Sequence, residues 1–187
     1  MVLKEASMES SRPAYPGFNL LSTDNTTKSH EQLMGEKGLI VIFTCNHCPY
    51  AKALWNRLIS DVSAIKAKGF NVVAINPNIN PDYPDDSYEN MVEFAQSVNL
   101  PFHYLVDETQ EIAKQYDAQC TPDLFVLNPS MELIYRGAYD DHWKDHEKVE
   151  KTYLLNALDQ HINQPAATIT VEKLSMGCSI KWVKNAS

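Results

Sequence analysis

The chain has 187 residues and a formal net charge of −8, and 44% of its residues are hydrophobic. That suits one domain with a sizeable core, and the acidic balance, with no run of Lys or Arg, argues against nucleic acid or an anionic membrane as partner. No apolar run is long enough to span a bilayer, and M-V-L-K-E-A-S-M lacks the apolar segment of a secretory signal, so a cytoplasmic location is expected.

Residues 1–14 show no periodicity and are expected to form a mobile arm. A single domain is expected over 15–165, with a tail over 166–187 packing on or near it. F-N-L-L-S-T-D-N opens the domain as a short strand and turn. After the G-E-K-G turn comes L-I-V-I-F, residues 39–43, apolar at every position, which fits a strand covered on both faces. Leu54, Leu58, Val62 and Ile65 then recur at helical spacing, and Lys68-Gly69 ends that helix. Val72 to Ile75 is a second buried strand, completing a β-α-β unit.

A Pro- and Asp-rich loop fills residues 76–87, and Ser87 caps the next helix, lined by Met91, Phe94, Ala95 and Val98. F-H-Y-L-V, residues 102–106, is a third strand. Asp107 or Thr109 caps a short helix carrying Ile112 and Tyr116. C-T-P-D leads into the strand L-F-V-L, N-P-S-M turns the chain, and E-L-I-Y-R returns as an antiparallel hairpin strand. A helix around 149–162 carries Leu154, Leu155, Leu158 and Ile162. D-D-H-W, residues 140–143, with His146, is expected to be a solvated loop.

The chemistry-bearing stretch is F-T-C-N-H-C-P-Y, residues 43–50. A dithiol delivered by a buried strand to a helix start solves a physical problem. The thiolate is the nucleophile, and a helix N-terminus, with unpaired N–H groups and partial positive charge, stabilises it. Cys45 is expected at that end, exposed and attacking; Cys48, one turn further in, is expected to be more buried and to resolve the mixed disulfide. Residues three apart in a first turn sit within the separation a disulfide accepts. His47, protonated or as an N–H donor, favours the Cys45 thiolate and a more oxidising couple. A structural zinc site would normally bring a second Cys or His pair, and none accompanies Cys120 or Cys178, so redox use is favoured over structural metal.

C-T-P at 120–122 is the second feature. A cis Pro122 would lock a sharp turn before the strand, and Thr121 would offer backbone groups to an incoming extended peptide. Cys120 is a possible third thiol there. Cys178, in the tail segment G-C-S-I-K-W, is either a resolving thiol on a swinging tail or a packed strand residue. A swinging tail would pair Cys178 with Cys45 or Cys120.

These residues resemble the thioredoxin fold: a dithiol after an apolar strand, β-α-β, then T-P before a hairpin and a final helix. The helix and strand at 87–106, the opening P-G-F-N-L-L-S-T-D-N and V-D-E-T-Q-E-I-A-K-Q-Y are similar to the peroxiredoxin and TlpA-like (AhpC/TSA-type) branch. The resemblance implies an α/β thioredoxin-like fold, a central mixed sheet flanked by helices, with a peroxiredoxin/TlpA-type helix–strand insertion. It gives Cys45 the role of attacking cysteine, Cys48 that of resolving cysteine and Pro122 that of the cis-proline. C-N-H-C also resembles the Cys-x-His-Cys of DsbA and protein disulfide isomerase. Two departures stand out. The buried acid that precedes the thioredoxin dithiol has no counterpart in L-I-V-I-F. The peroxiredoxin P-x-x-x-T-x-x-C is incomplete, because Thr44 abuts Cys45; Arg136 is the one candidate for that family's distant arginine.

The expected function is thiol–disulfide oxidoreduction in redox homeostasis, through a Cys45/Cys48 dithiol supported by His47 and Thr44. A peroxiredoxin-like peroxidase is the first alternative, and a copper or zinc protein using Cys45, His47, Cys48 and Cys120 the second. No resident metal or organic cofactor is expected, the redox group being the Cys45–Cys48 disulfide itself. Expected partners are protein or small-molecule disulfides and thiols and an electron donor, with no nucleic acid and no membrane span.

Overall fold

The apolar run 39–43 lies in β4 (Gly38–Phe43), and all six of its residues are buried. The computed structural model describes residues 3–6, 14–165, 169 and 171–183. β4 pairs in parallel with β5 (Phe70–Asn76), which pairs in parallel with β6 (His103–Val106). β2 (Asn19–Ser22) and β3 (Thr27–Ser29) extend the sheet antiparallel beyond β6; β8 (Asp123–Leu127) and β9 (Leu133–Arg136) extend it antiparallel beyond β4. The result is a seven-stranded mixed sheet of order β3-β2-β6-β5-β4-β8-β9.

Alternation along the strands fills both faces. Ile40, Ile42, Val72, Leu124 and Val126 face α2 (Pro49–Ala67) and α5 (Tyr153–Asn163), meeting Leu54, Leu58, Ile65, Leu154 and Leu158. Leu39, Val41, Phe43, Val73, Ile75 and Phe125 face the other way, onto α1 (His30–Leu33), α4 (Glu111–Gln115) and the ring of Tyr116. Each fully buried Leu, Ile or Val side chain contributes about 1.5–3 kcal/mol, which is why an unbroken apolar run fixes β4 at the sheet centre. α3 (Tyr88–Ser97) brings Met91 and Phe94 against Trp55 and Tyr104. α2 ends at Lys68, and Gly69 follows at φ 87°, a left-handed conformation that favours glycine. The α/β architecture with a central mixed sheet flanked by helices agrees with the sequence.

Caps largely follow the sequence. Ser87 accepts the Asn90 N–H at 3.3 Å. The Asp107 carboxylate accepts from Ala113 at 2.7 Å while Thr109 accepts from Glu111 at 3.3 Å, so both candidate residues serve α4. The last helix starts late. The Asp141 carboxylate accepts the Glu150 N–H at 3.1 Å, and the Asp141 N–H donates to the Lys151 carbonyl at 3.1 Å. These bonds hold 149–151 out of the helix, which begins at Tyr153. Nor is the 140–143 loop merely solvated. Asp140 is buried in an ion pair with Arg57 of α2, and Trp143 packs against Tyr50 with centroids 4.0 Å apart and the rings tilted by 32°.

A second, three-stranded sheet has the order β1-β10-β7, all antiparallel: β1 (Leu3–Glu5), β10 (Met176–Ser179) and β7 (Cys120–Thr121). Leu3–Glu5 is therefore a paired strand where a mobile arm was expected; residues 1–2 and 7–13 of that arm lie outside the described residues. Of the tail, 166–168, 170 and 184–187 also lie outside them.

Candidate functional site

β4 and β5 run parallel with Phe43 opposite Ile75, so the loops that follow them leave the sheet side by side. The Thr44 N–H continues the ladder, donating to the Ile75 carbonyl at 2.9 Å, and its side chain is buried. The chain then turns through Cys45, Asn46 and His47. Helix α2 does not begin at Cys45. Its N-cap is Cys48, held extended at φ −70°, ψ 124°, and Pro49 is the first helical residue. A proline at that position lacks an N–H that would be unpaired anyway, and it keeps the residue before it out of helical conformation. The helix end therefore faces Cys48, correcting the expectation that it serves Cys45.

Exposure also departs from expectation. Cys45, Cys48 and Cys178 are each 0% exposed and, with Ala51, form one buried cluster. β10 covers the dithiol. Cys178 stands opposite Thr121 in the β10–β7 pairing, and its Sγ lies 2.7 Å from the Cys48 Sγ. That is well above a covalent S–S length of about 2.05 Å, and all four cysteines are free thiols. The tail thiol therefore meets Cys48, not Cys45 or Cys120.

The Thr121 hydroxyl is 3.4 Å from the Cys45 Sγ, and its carbonyl accepts from the Cys48 thiol at 3.0 Å. The Thr121–Pro122 peptide is cis. The two features singled out in the sequence, C-N-H-C and C-T-P, thus converge. Cys120 stays apart: its thiol donates to the Pro122 carbonyl at 3.3 Å, and burial pushes its pKa well up.

Of the three sulfurs, Cys48 is the one whose anion its neighbours favour. Burial, then a hydrogen bond to Cys48, then the Asp86 carboxylate raise the Cys45 pKa well above its usual value. Hydrogen bonding by the Cys45 thiol, opposed by burial and reinforced by the Cys178 thiol and the Ala51 N–H, lowers Cys48 to about 5. Burial and the Cys48 sulfur push Cys178 up to about 12. The proton that the Cys48 thiol donates to the Thr121 carbonyl is thus the most readily lost of the three.

The loop after β5 supplies a residue the sequence did not single out. Asp86 is fully buried; its Oδ1 accepts the N–H groups of Asn46 at 2.8 Å and His47 at 3.1 Å, and its Oδ2 pairs with His47 Nδ1. Tyr83 stacks on His47 with centroids 5.1 Å apart, and the Tyr104 hydroxyl donates to Asn46 Oδ1 at 3.1 Å. His47 is therefore oriented by Asp86. The missed signal was topological: a loop leaving the carboxyl end of a strand beside the CxxC strand must reach the same site.

Cys45, His47 and Asp86 each offer a ligand atom, all within 4.8 Å of one another. A closed zinc site takes four ligands, and this trio supplies three, with both Asp86 oxygens already accepting hydrogen bonds. Arg136 is buried against Asp123, donating to its carboxylate at 2.9 Å and to the Asp117 carbonyl at 2.7 Å, and lies over the Phe125 ring.

The model of the AhpC/TSA family matches residues 12–136. An uncharacterised conserved protein from Geobacillus kaustophilus superposes with a TM-score of 0.89 at 35% identity, covering 100% of this chain and 99% of that one. A hypothetical protein from Sinorhizobium meliloti gives 0.85 at 27% identity, covering 96% and 99%. Peroxidoxin BcpB from Mycobacterium tuberculosis gives 0.61 at 13% identity, covering 82% and 96%. The thioredoxin domain of a thiol-disulfide oxidoreductase from Bacteroides vulgatus gives 0.56 at 14%, covering 67% and 86%. The last two show the thioredoxin-like fold alone. No curated protein matches the sequence. Among the described residues, no helix is long and apolar enough to cross a membrane.

Proposed function

Because the chain belongs to the AhpC/TSA family, a family of thiol redox proteins, we propose that it is a thiol–disulfide oxidoreductase whose redox group is the Cys45–Cys48 dithiol. The observation that carries the proposal is the convergence of Cys45 and Cys48 on Thr121, at 3.4 and 3.0 Å, beside the cis Pro122. The reaction balances without a metal or organic cofactor. A Cys48 thiolate attacks a substrate disulfide R–S–S–R′; Cys48–S–S–R forms and R′S⁻ leaves, taking a proton. Cys45 then gives up its proton and attacks the Cys48 Sγ, forming the Cys45–Cys48 disulfide and releasing RS⁻. The substrate gains two electrons, and a thiol donor restores the dithiol.

This order of attack reverses the one expected from the sequence. Thiolate character decides which sulfur attacks, and Cys48, as the N-cap of α2, is the sulfur at the positive helix end, where its hydrogen bonds also lower its pKa. Asp86 and His47 stand beside Cys45 as its polar surroundings and position the turn that carries it. Substrates are expected among protein or small-molecule disulfides; thiol peroxidase activity is the alternative. A peroxidatic site needs a cation at its sulfur, and Arg136, the candidate for it, is engaged by Asp123.

The test compares two turnovers of the purified protein with dithiothreitol as donor: reduction of insulin disulfides and consumption of hydrogen peroxide. Insulin reduction that disappears in Cys48→Ser supports the proposal. Peroxide consumption without insulin reduction replaces it with the peroxidase.

A further inference from the structure

The covering strand β10 holds the position that an extended substrate would need. Its residues Cys178 and Ser179 pair antiparallel with Thr121 and Cys120, along the edge beside the cis proline. Gly177 makes the approach possible: a Cβ there would lie 2.0 Å from the Thr121 carbonyl oxygen and 2.6 Å from its carbon. The chain thus presents its own backbone to that edge, with a cysteine directed at the dithiol. The Cys178 Sγ is 2.7 Å from the Cys48 Sγ, and both residues are fully buried.

Resting on the redox role of Cys48, we propose that Cys178 is a third redox thiol of this site, an alternative partner to Cys45 that closes a Cys48–Cys178 disulfide. Cys48 is the shared sulfur. With Cys48 in mixed disulfide to a substrate sulfur, Cys178 loses its proton and attacks the Cys48 Sγ. The Cys48–Cys178 bond forms, the bond to the substrate breaks, and the substrate sulfur leaves as a thiolate that takes up a proton. From a Cys45–Cys48 disulfide the same attack expels Cys45 as a thiol, with no net oxidation. Either route leaves Cys45 reduced, and it pins β10 over the site. Opening the site to the next substrate then requires reduction of the Cys48–Cys178 bond or its exchange back to Cys45. The tail strand is therefore both an internal occupant of the peptide edge and a redox latch.

The test oxidises full-length variants with oxidised glutathione, alkylates them after denaturation, and maps linked peptides by mass. Cys45→Ser should lose two alkylatable thiols and yield a peptide joining Cys48 to Cys178; partly oxidised wild type should yield the same peptide. Glutathione on Cys48 with Cys178 left alkylatable in Cys45→Ser, and no Cys48–Cys178 peptide in wild type, would overturn the proposal. Cys178→Ser separates the two claims: a retained Cys45–Cys48 disulfide upholds the underlying dithiol whatever Cys178 does. Its loss in a Cys178→Ser protein that still folds defeats the dithiol instead. Wild type needs no substitution, so a variant that fails to fold leaves the outcome readable.

Discussion

Gly177→Ala is the sharpest perturbation of the closed site. The added Cβ would sit 2.0 Å from the Thr121 carbonyl oxygen, and ordinary contact begins at 3.4 Å, so β10 and β7 must part by about 1.4 Å. The obstacle is backbone, which cannot swing aside as a flexible side chain would. If the whole shift fell along the sulfur–sulfur line, the Cys48–Cys178 gap would open from 2.7 Å to about 4.1 Å. Overpacking of this kind costs about 1–3 kcal/mol. At about 1.4 kcal/mol per decade, that raises the population with β10 undocked by roughly 5- to 150-fold. Buried thiols react from such open states, so native-state alkylation follows that population. The assay is the rate of iodoacetamide modification of Cys48, assigned by peptide mass, with urea unfolding as a check on global stability. A Cys48 rate equal to that of wild type would refute the idea that β10 gates the dithiol.

Three further outcomes are expected. The Cys48 pKa is lowered from 9.0 to about 5, so between those values the unfolded chain holds a proton the native state has released, and stability rises with pH. The stability difference between wild type and Cys48→Ser should therefore shrink as pH falls from 9 towards 5; a constant difference in urea midpoints would contradict this. Asp86→Ala strands the Asn46 and His47 N–H groups and His47 Nδ1 and should cost about 2 kcal/mol or more. Asp86→Asn, which keeps an acceptor for both N–H groups, should cost less, and equal losses in urea unfolding would count against the cradle. Leu58→Ala, a fully buried site in the core between α2 and the sheet, should cost about 2–5 kcal/mol, read by the same unfolding assay.

Much of the fold was legible because burial writes itself into pattern. The run 39–43 has no polar position and became the central strand β4. The 3.6-residue spacing from Leu54 to Ile65 set α2. What stayed hidden depends on long-range pairing. The strand Leu3–Glu5 is exposed and three residues long, too short to show a period, and only its partner β10 makes it a strand. The late start of α2 was local but overlooked: Pro49 moves the helix end from Cys45 to Cys48 and with it the stabilised charge. Asp86 is one of several acids in a Pro-rich loop, and nothing in its neighbours marks it as the one buried under the Cys45–Cys48 turn. Cys178 lies 130 residues from Cys48, and no local pattern could report that they touch.

The central claim is a two-electron dithiol couple at Cys45 and Cys48. The most direct measurement is a glutathione redox titration of Cys178→Ser, with thiols counted by mass after alkylation and metal content recorded on the same sample. One two-electron transition is predicted, abolished when either Cys45→Ser or Cys48→Ser is added. No transition, with stoichiometric metal bound and lost on Cys45→Ser, would contradict it and make the cluster of Cys45, His47 and Asp86 a metal site instead.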